Sequence, residues 1–88
     1  MIPIRNIRFY RAHHITWRPT SGTMDLSKAL FTFSAGQGEP PAPGRPAIAV
    51  FNTDQEGPGF CAAVRVVSAG PEGVTARLLS IEKNKLYE

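Results

Sequence analysis

The chain is poor in cysteine, in long apolar runs and, over its first eighteen positions, in acidic residues. A single cysteine, Cys61, in 88 residues excludes an internal disulfide and any multi-cysteine zinc site. Because small secreted domains usually depend on disulfides, this scarcity favours a reducing compartment. No apolar run approaches the ~20 residues that a membrane-spanning helix requires, and the first residues lack the apolar core of a signal peptide. These absences predict a cytoplasmic protein that makes no contact with a membrane.

The missing acids make the start of the chain strongly basic. Residues 1–18 contain no aspartate or glutamate and carry four arginines, interleaved with aromatic side chains: Arg5, Arg8, Phe9, Tyr10, Arg11, Trp17 and Arg18. The net charge of the whole chain is +3, and residues 19–88 contribute −1, from six Lys or Arg against seven Asp or Glu. The positive charge is therefore local. Such a segment is typical of surfaces that meet an anionic partner, because charge attracts phosphates or carboxylates and ring faces stack on bases.

Length and composition predict one small β domain spanning residues 1–88. Hydrophobic residues make up 42% of the chain, which is enough for a core. Eight prolines and eight glycines disfavour long helices, since both residues interrupt them. They cluster in four segments that we interpret as turns or loops: residues 19–22, 36–46, 54–59 and 70–73.

The runs between these turns are short enough to be strands. Residues 4–18 alternate between apolar and polar side chains, which predicts a strand with two different faces. Fifteen residues is long for one strand, so a bulge or bend is expected near residues 12–14. Residues 47–52 form a short apolar run that is typical of a central strand.

The clearest local pattern is a β-hairpin. Residues 59–68 and 74–83 flank the Gly-Pro-Glu-Gly turn, with a predicted loop of about five residues. One face of this hairpin should point into the core, and it carries Phe60, Ala62, Val64, Val66 and Leu78. Residues 24–35 fit two structures. Asp25 or Ser27 could cap a short helix, whereas alternation over residues 30–34 favours a strand. Five strands with room for one short helix near 24–33 predict a small antiparallel barrel, SH3-like or OB-like in architecture.

The residues that could carry chemistry form no convincing active site. His13 and His14 are adjacent, so in a strand their rings point to opposite faces and cannot share a metal in the usual way. Further ligands would have to come from Cys61, Asp54 or Glu56. A nucleophilic Cys61 is disfavoured because it stands within an apolar strand, where cysteine behaves as a small hydrophobe. The sequence therefore predicts a protein that is not an enzyme and that has no metal or cofactor.

Most of the predicted partner-binding residues are at even-numbered positions of the first strand, which alternation places on one face. Arg8, Tyr10, His14 and Arg18 fall on one face, and Arg5 precedes them. Arg11 falls with Phe9 and Trp17, so it is expected to be a bend residue or a partly buried, paired guanidinium.

Three functions follow from these patterns. The first is a non-enzymatic binding module whose basic N-terminal strand contacts nucleic acid or an acidic protein surface. The second is an assembly domain that forms a homodimer through an edge strand. The third is a carrier of a small ligand in a barrel pocket lined by aromatic residues: Trp17, Phe31, Phe33, Phe51 and Phe60.

Overall fold

A computed structural model describes residues 1–53 and 59–83. All the regular secondary structure in this part of the chain is β-strand. The short helix considered as an alternative near residues 24–33 does not form. The described residues accordingly contain no helix capable of crossing a membrane. The strands, in chain order, are β1 (Ile2–Arg11), β2 (His14–Pro19), β3 (Gly22–Asp25), β4 (Leu30–Ser34), β5 (Gly36–Gly38), β6 (Pro46–Thr53), β7 (Phe60–Gly70) and β8 (Gly73–Lys83).

Six of these strands close into an antiparallel barrel, in the order β1-β3-β4-β8-β7-β6 and back to β1. β1 closes the ring because its first residues pair with β3 while the same strand also pairs with β6. β2 and β5 extend the sheet outward from the second half of β1. The predicted small β-barrel is confirmed, although five strands was too few: six form the ring and two lie beside it.

The N-terminal segment is a hairpin and not one long strand, and the bulge or bend expected near residues 12–14 is a tight turn. Ala12 and His13 both have positive φ, 50° and 71°, and they form the two-residue turn between β1 and β2. Successive left-handed residues are the geometry of a type I′ turn, whose twist matches that of a tight hairpin. A register shift in β2 then places Trp17 opposite Phe9, so both rings enter the core.

β3 and β4 are joined by a polar turn at the place where the helix was considered. The Asp25 carboxylate accepts hydrogen bonds from the Ser27 hydroxyl (2.6 Å), the Ser27 amide (3.0 Å) and the Lys28 amide (3.3 Å). Ala29 has φ 54° and its carbonyl accepts from the Leu78 amide of β8. Asp25 therefore closes a turn instead of capping a helix, and the alternative of a strand over residues 30–34 is confirmed.

The hairpin of β7 and β8 is confirmed, with a shorter loop than the predicted five residues. Gly70 pairs with Gly73, which leaves Pro71 and Glu72 as the loop. Gly73 has φ 146°, and a Cβ there would overlap the Phe33 carbonyl oxygen. Glycine is thus required at this position by both conformation and space.

The core is built from the inward faces predicted for this hairpin together with a group of aromatic rings. Val64 and Val66 are buried and Leu78 packs against the core, as predicted. Ring contacts link five of the aromatic residues through centroid distances of 4.9–6.2 Å; these are Phe9, Trp17, Phe31, Phe33 and Phe51.

The proline-rich segment, predicted as a loop over residues 36–46, begins as strand β5 and then turns onto β7. The Arg45 amide donates to the Ala42 carbonyl, and Gly44 has φ 81°, which together with Pro43 describes a type II turn. The Gly44 amide donates to the Val66 carbonyl (2.8 Å), and the Val66 amide donates to the Arg45 carbonyl (3.1 Å). The turn is thereby fixed to the barrel wall. Most of the loop predicted over residues 54–59 lies outside the described residues.

Candidate anion-binding surface

A β-bulge in β1 brings two arginines to the outside of the barrel. Ile4 and Ile7 are both buried although they are three residues apart, because the pairing with β6 shifts between Arg5 and Arg8. Asn6 occupies the extra position with φ 54°, a conformation that asparagine tolerates better than most residues. As a result Arg5 and Arg8 both point away from the core.

Arg18 joins these two arginines from the neighbouring strand. Phe9 and Trp17 form an inward-facing cross-strand pair. Their chain neighbours Arg8 and Arg18 therefore face outward. Arg18 is exposed and lies opposite Gln37 of β5. Arg8 is half-buried, and its Nε–H donates to the Asn6 carbonyl (3.1 Å).

The three arginines are not neutralised within the described part of the chain. None of the guanidinium groups of Arg5, Arg8 and Arg18 contacts a carboxylate there. Like charges on neighbouring strands destabilise a sheet by a few tenths of a kcal/mol. The positive potential of the outer face of β1 and β2 is therefore available to a partner. We call these three residues the β1–β2 surface.

Tyr10 and His14, the other two predicted contact residues, lie in different places. Tyr10 is half-buried on the outer face, between Ile48 of β6 and Ile15 of β2. His14 is exposed but pairs with Arg11, which places it on the opposite face of the hairpin. The structure thus groups the β1–β2 surface with Tyr10 and separates it from His14. After the two-residue turn, odd-numbered Ile15 is on the face of even-numbered Tyr10, so His14 falls on the other face.

Arg11 agrees with the first of its two expected roles, that of a residue at the bend, and not with the second. It is exposed at the end of β1, beside the turn, and it makes no hydrogen bond or ion pair with the described residues. The expected partly buried, paired guanidinium is therefore wrong. The face that Arg11 shares with Phe9 leaves the core before the strand ends, so the side chain reaches solvent.

The histidines and the cysteine are not assembled into a site. Within residues 1–53 and 59–83, no group of three His, Cys, Asp or Glu side chains is placed to hold a metal ion. Asp54 and Glu56, named above as further ligands, lie outside the described residues. Cys61 is half-buried opposite Glu82. Burial, followed by the charge of Glu82, raises the pKa of the Cys61 thiol, which disfavours the nucleophilic thiolate.

The aromatic residues of the suggested ligand pocket pack against one another. Phe31 and Phe51 are fully buried and their rings meet at 5.5 Å, while Phe51 stacks on Phe60 at 5.9 Å. Trp17 meets Phe33 at 6.2 Å. These rings fill space in the core, so their arrangement lends no support to a small-ligand carrier.

A second basic group was missed by the sequence analysis. Arg65 of β7 and Arg77 of β8 are direct cross-strand partners, both exposed, and Arg45 lies in the turn that docks beside them. The signal was present in the predicted hairpin. Arg65 alternates with inward Val64 and Val66, so its outward direction could have been read from the pattern. Its position opposite another arginine depends on the register shift between Val66 and Ser68, which the pattern does not reveal.

Comparisons of the chain with protein-family models, with curated proteins and with solved structures found no match.

Proposed function

We propose that this protein is a non-enzymatic module that binds nucleic acid through the β1–β2 surface. The observation that supports this proposal is the placement of Arg5, Arg8 and Arg18 on one outer face with no carboxylate contact among the described residues. Guanidinium groups bind phosphate oxygens in a bidentate manner and remain charged at all physiological pH values.

The bulge and the hairpin give this face its spacing. Arg5 and Arg8 follow one another along β1, and Arg18 lies beside Arg8 on β2. An extended strand of nucleic acid carries phosphates at regular intervals, which a row of cations on a sheet can follow. Ile15 and Ile48, both exposed on the same face, offer apolar contact to sugars and bases.

The experiment that tests this proposal is a salt titration of binding to a labelled oligothymidylate. Replacing Arg8 and Arg18 together by glutamine should weaken the highest-affinity binding of the oligothymidylate. The salt dependence of that binding should also become flatter. Each lost phosphate contact should lower the log–log salt slope by ~0.7 for a single strand. A matched control, Arg8→Lys with Arg18→Lys, keeps the charge and should keep most of the slope.

Two outcomes would replace this function by another. Should the glutamine variant bind the oligonucleotide as the parent does, the β1–β2 surface is only a solvated strand face. If the parent does not bind nucleic acid but binds polyglutamate, and this binding is weakened by the Arg8 and Arg18 substitutions, the partner is an acidic protein. Size-exclusion chromatography across the same salt series addresses the homodimer alternative, in which β5, at the end of the sheet order, would pair with a second copy.

A further inference from the structure

A second set of arginines lies on the outer wall formed by β7 and β8. Arg65 and Arg77 stand directly opposite each other, and side chains in such pairs have Cβ atoms about 4.5–5.5 Å apart. Like charges in this relationship destabilise the sheet. Neither guanidinium contacts a carboxylate within the described residues. A pair of this kind weakens the fold, and binding of an anion would compensate for it.

The proline turn adds a third arginine and fixes the group in place. The Arg65 guanidinium donates to the Gly44 carbonyl (2.9 Å), and backbone hydrogen bonds join Gly44 and Arg45 to Val66. Arg45 is thus fixed beside Arg65, and its exposed side chain makes no contact with an acid in the described chain. Exposed Val67 lies two residues beyond Arg65 on the same strand. We call Arg45, Arg65 and Arg77 the β7–β8 surface.

The two surfaces lie on different walls of the barrel. In the ring β1-β3-β4-β8-β7-β6, β8 is three strands from β1 in either direction, and β7 is two strands from β1 through β6. The outer faces of β1 and β8 therefore point away from each other. The Cα positions of the molecule extend over 31 × 30 × 21 Å, so a phosphate bound at one surface is out of reach of the other.

We propose that the β7–β8 surface is a second site for the phosphate backbone of nucleic acid, so that one molecule holds two strands and bridges them. This inference rests on the function proposed above, and it adds a second, independent site. The first surface has its arginines on barrel strand β1 and on β2 beside it, whereas the second has them on a turn and on two other barrel strands. Removing one surface should leave the other intact.

A bridging assay tests this inference. One short oligothymidylate is immobilised, the protein is added, and capture of a second, fluorescent oligothymidylate is measured. The parent should capture the second strand. Arg45→Gln with Arg77→Gln should lose at least ~90% of capture while still binding the immobilised strand, and Arg8→Gln with Arg18→Gln should lose capture in the same way. Arg45 and Arg77 are chosen because the Arg65–Gly44 hydrogen bond then survives.

Folding and charge are controlled separately. Arg45→Lys with Arg77→Lys should restore capture, and the melting temperature of the glutamine variant should not fall, because a like-charge contact has been removed. Full capture by the Arg45, Arg77 glutamine variant would overturn the second site while leaving the first untouched. If that variant abolishes all binding and the Arg8, Arg18 variant abolishes none, the first proposal fails and a single site remains on β7–β8, without bridging. A parent that binds no oligonucleotide overturns both.

Discussion

Val64 shows how much a single inward side chain contributes to so small a barrel. It is fully buried on β7 and belongs to the core cluster. Val64→Ala should lower the free energy of unfolding by about 1–3 kcal/mol, through lost burial and the cavity left behind. Urea unfolding followed by Trp17 fluorescence measures this change. The matched control is Val67→Ala on the same strand, 52% exposed, which should change stability by at most ~0.5 kcal/mol. Equal effects of the two substitutions would contradict the assigned faces.

Asp25 connects a turn to the stability of the protein in acid. The Ser27 hydroxyl, together with the Lys28 and Ser27 amides and the Lys28 charge, lowers the pKa of this carboxyl in the folded state. The unfolded chain therefore takes up the proton at higher pH than the folded chain does. The stabilisation is complete above the ordinary aspartate pKa, and it is lost as pH falls through the lowered folded pKa.

Substitutions at this turn should show that pH window. Asp25→Asn should be less stable than the parent near neutral pH, and the difference should shrink as pH falls below the ordinary aspartate pKa. Ser27→Ala, which removes the strongest donor, should show the same trend. Urea unfolding at neutral and acidic pH measures both. A difference that stays constant over this range would mean that the charge of Asp25 contributes nothing to the turn.

At the scale of elements, the N-terminal hairpin shows what alternation can and cannot predict. The two-residue turn at Ala12 and His13 reverses the parity between β1 and β2, and the bulge at Thr16 reverses it again. Trp17 therefore faces the core with Phe9, as a single strand would have placed it. His14 lies between the two shifts, so it is on the opposite face from the one that a single strand predicts. Alternation predicted the aromatic core correctly and a break near residues 12–14, but it did not show that the chain reverses direction at that break.

At Gly36 and Gly38 the backbone of β5 lies so close to β2 that only glycine fits. A Cβ on Gly36 would overlap the Arg18 carbonyl, so β5 could no longer lie at its distance from β2. Gly36→Ala should cost about 1–3 kcal/mol, as overpacking does. It should also shift the fluorescence of buried Trp17 to longer wavelength as β5 moves away. Gly70→Ala is the control, because a Cβ there meets nothing. Identical melting temperatures and spectra for the two variants would argue against this packing.

At the scale of the molecule, the fold class followed from the sequence and its closure did not. Proline and glycine spacing, together with alternation over β7 and β8, predicted an all-β barrel and the inward residues of its hairpin. The short strands β3 and β5 carry too few residues for a periodic pattern. The pairings of β1 with β3 and β6 join residues distant in sequence, and local patterns contain no information on such partners. The candidate site was affected in the same way. Its arginines were visible, whereas the Asn6 bulge that aligns Arg5 with Arg8 and the apposition of Arg65 with Arg77 required the register.

Closure of the barrel depends on the first residues of β1, where Ile4 pairs with Gly22 of β3 and with Thr53 of β6. Its side chain is 4% exposed and belongs to the core. Ile4→Ala should cost about 2–5 kcal/mol by lost burial and cavity formation. Because the ring then opens in part before global unfolding, the urea m-value should fall as well, since it follows the surface exposed on unfolding. Ile15→Ala, at a position 40% exposed on β2 outside the ring, should leave the m-value unchanged and cost at most ~0.5 kcal/mol. If Ile4→Ala unfolds with the parent's m-value and a cost no larger than that of Ile15→Ala, the β1–β3 pairing does not hold the barrel closed.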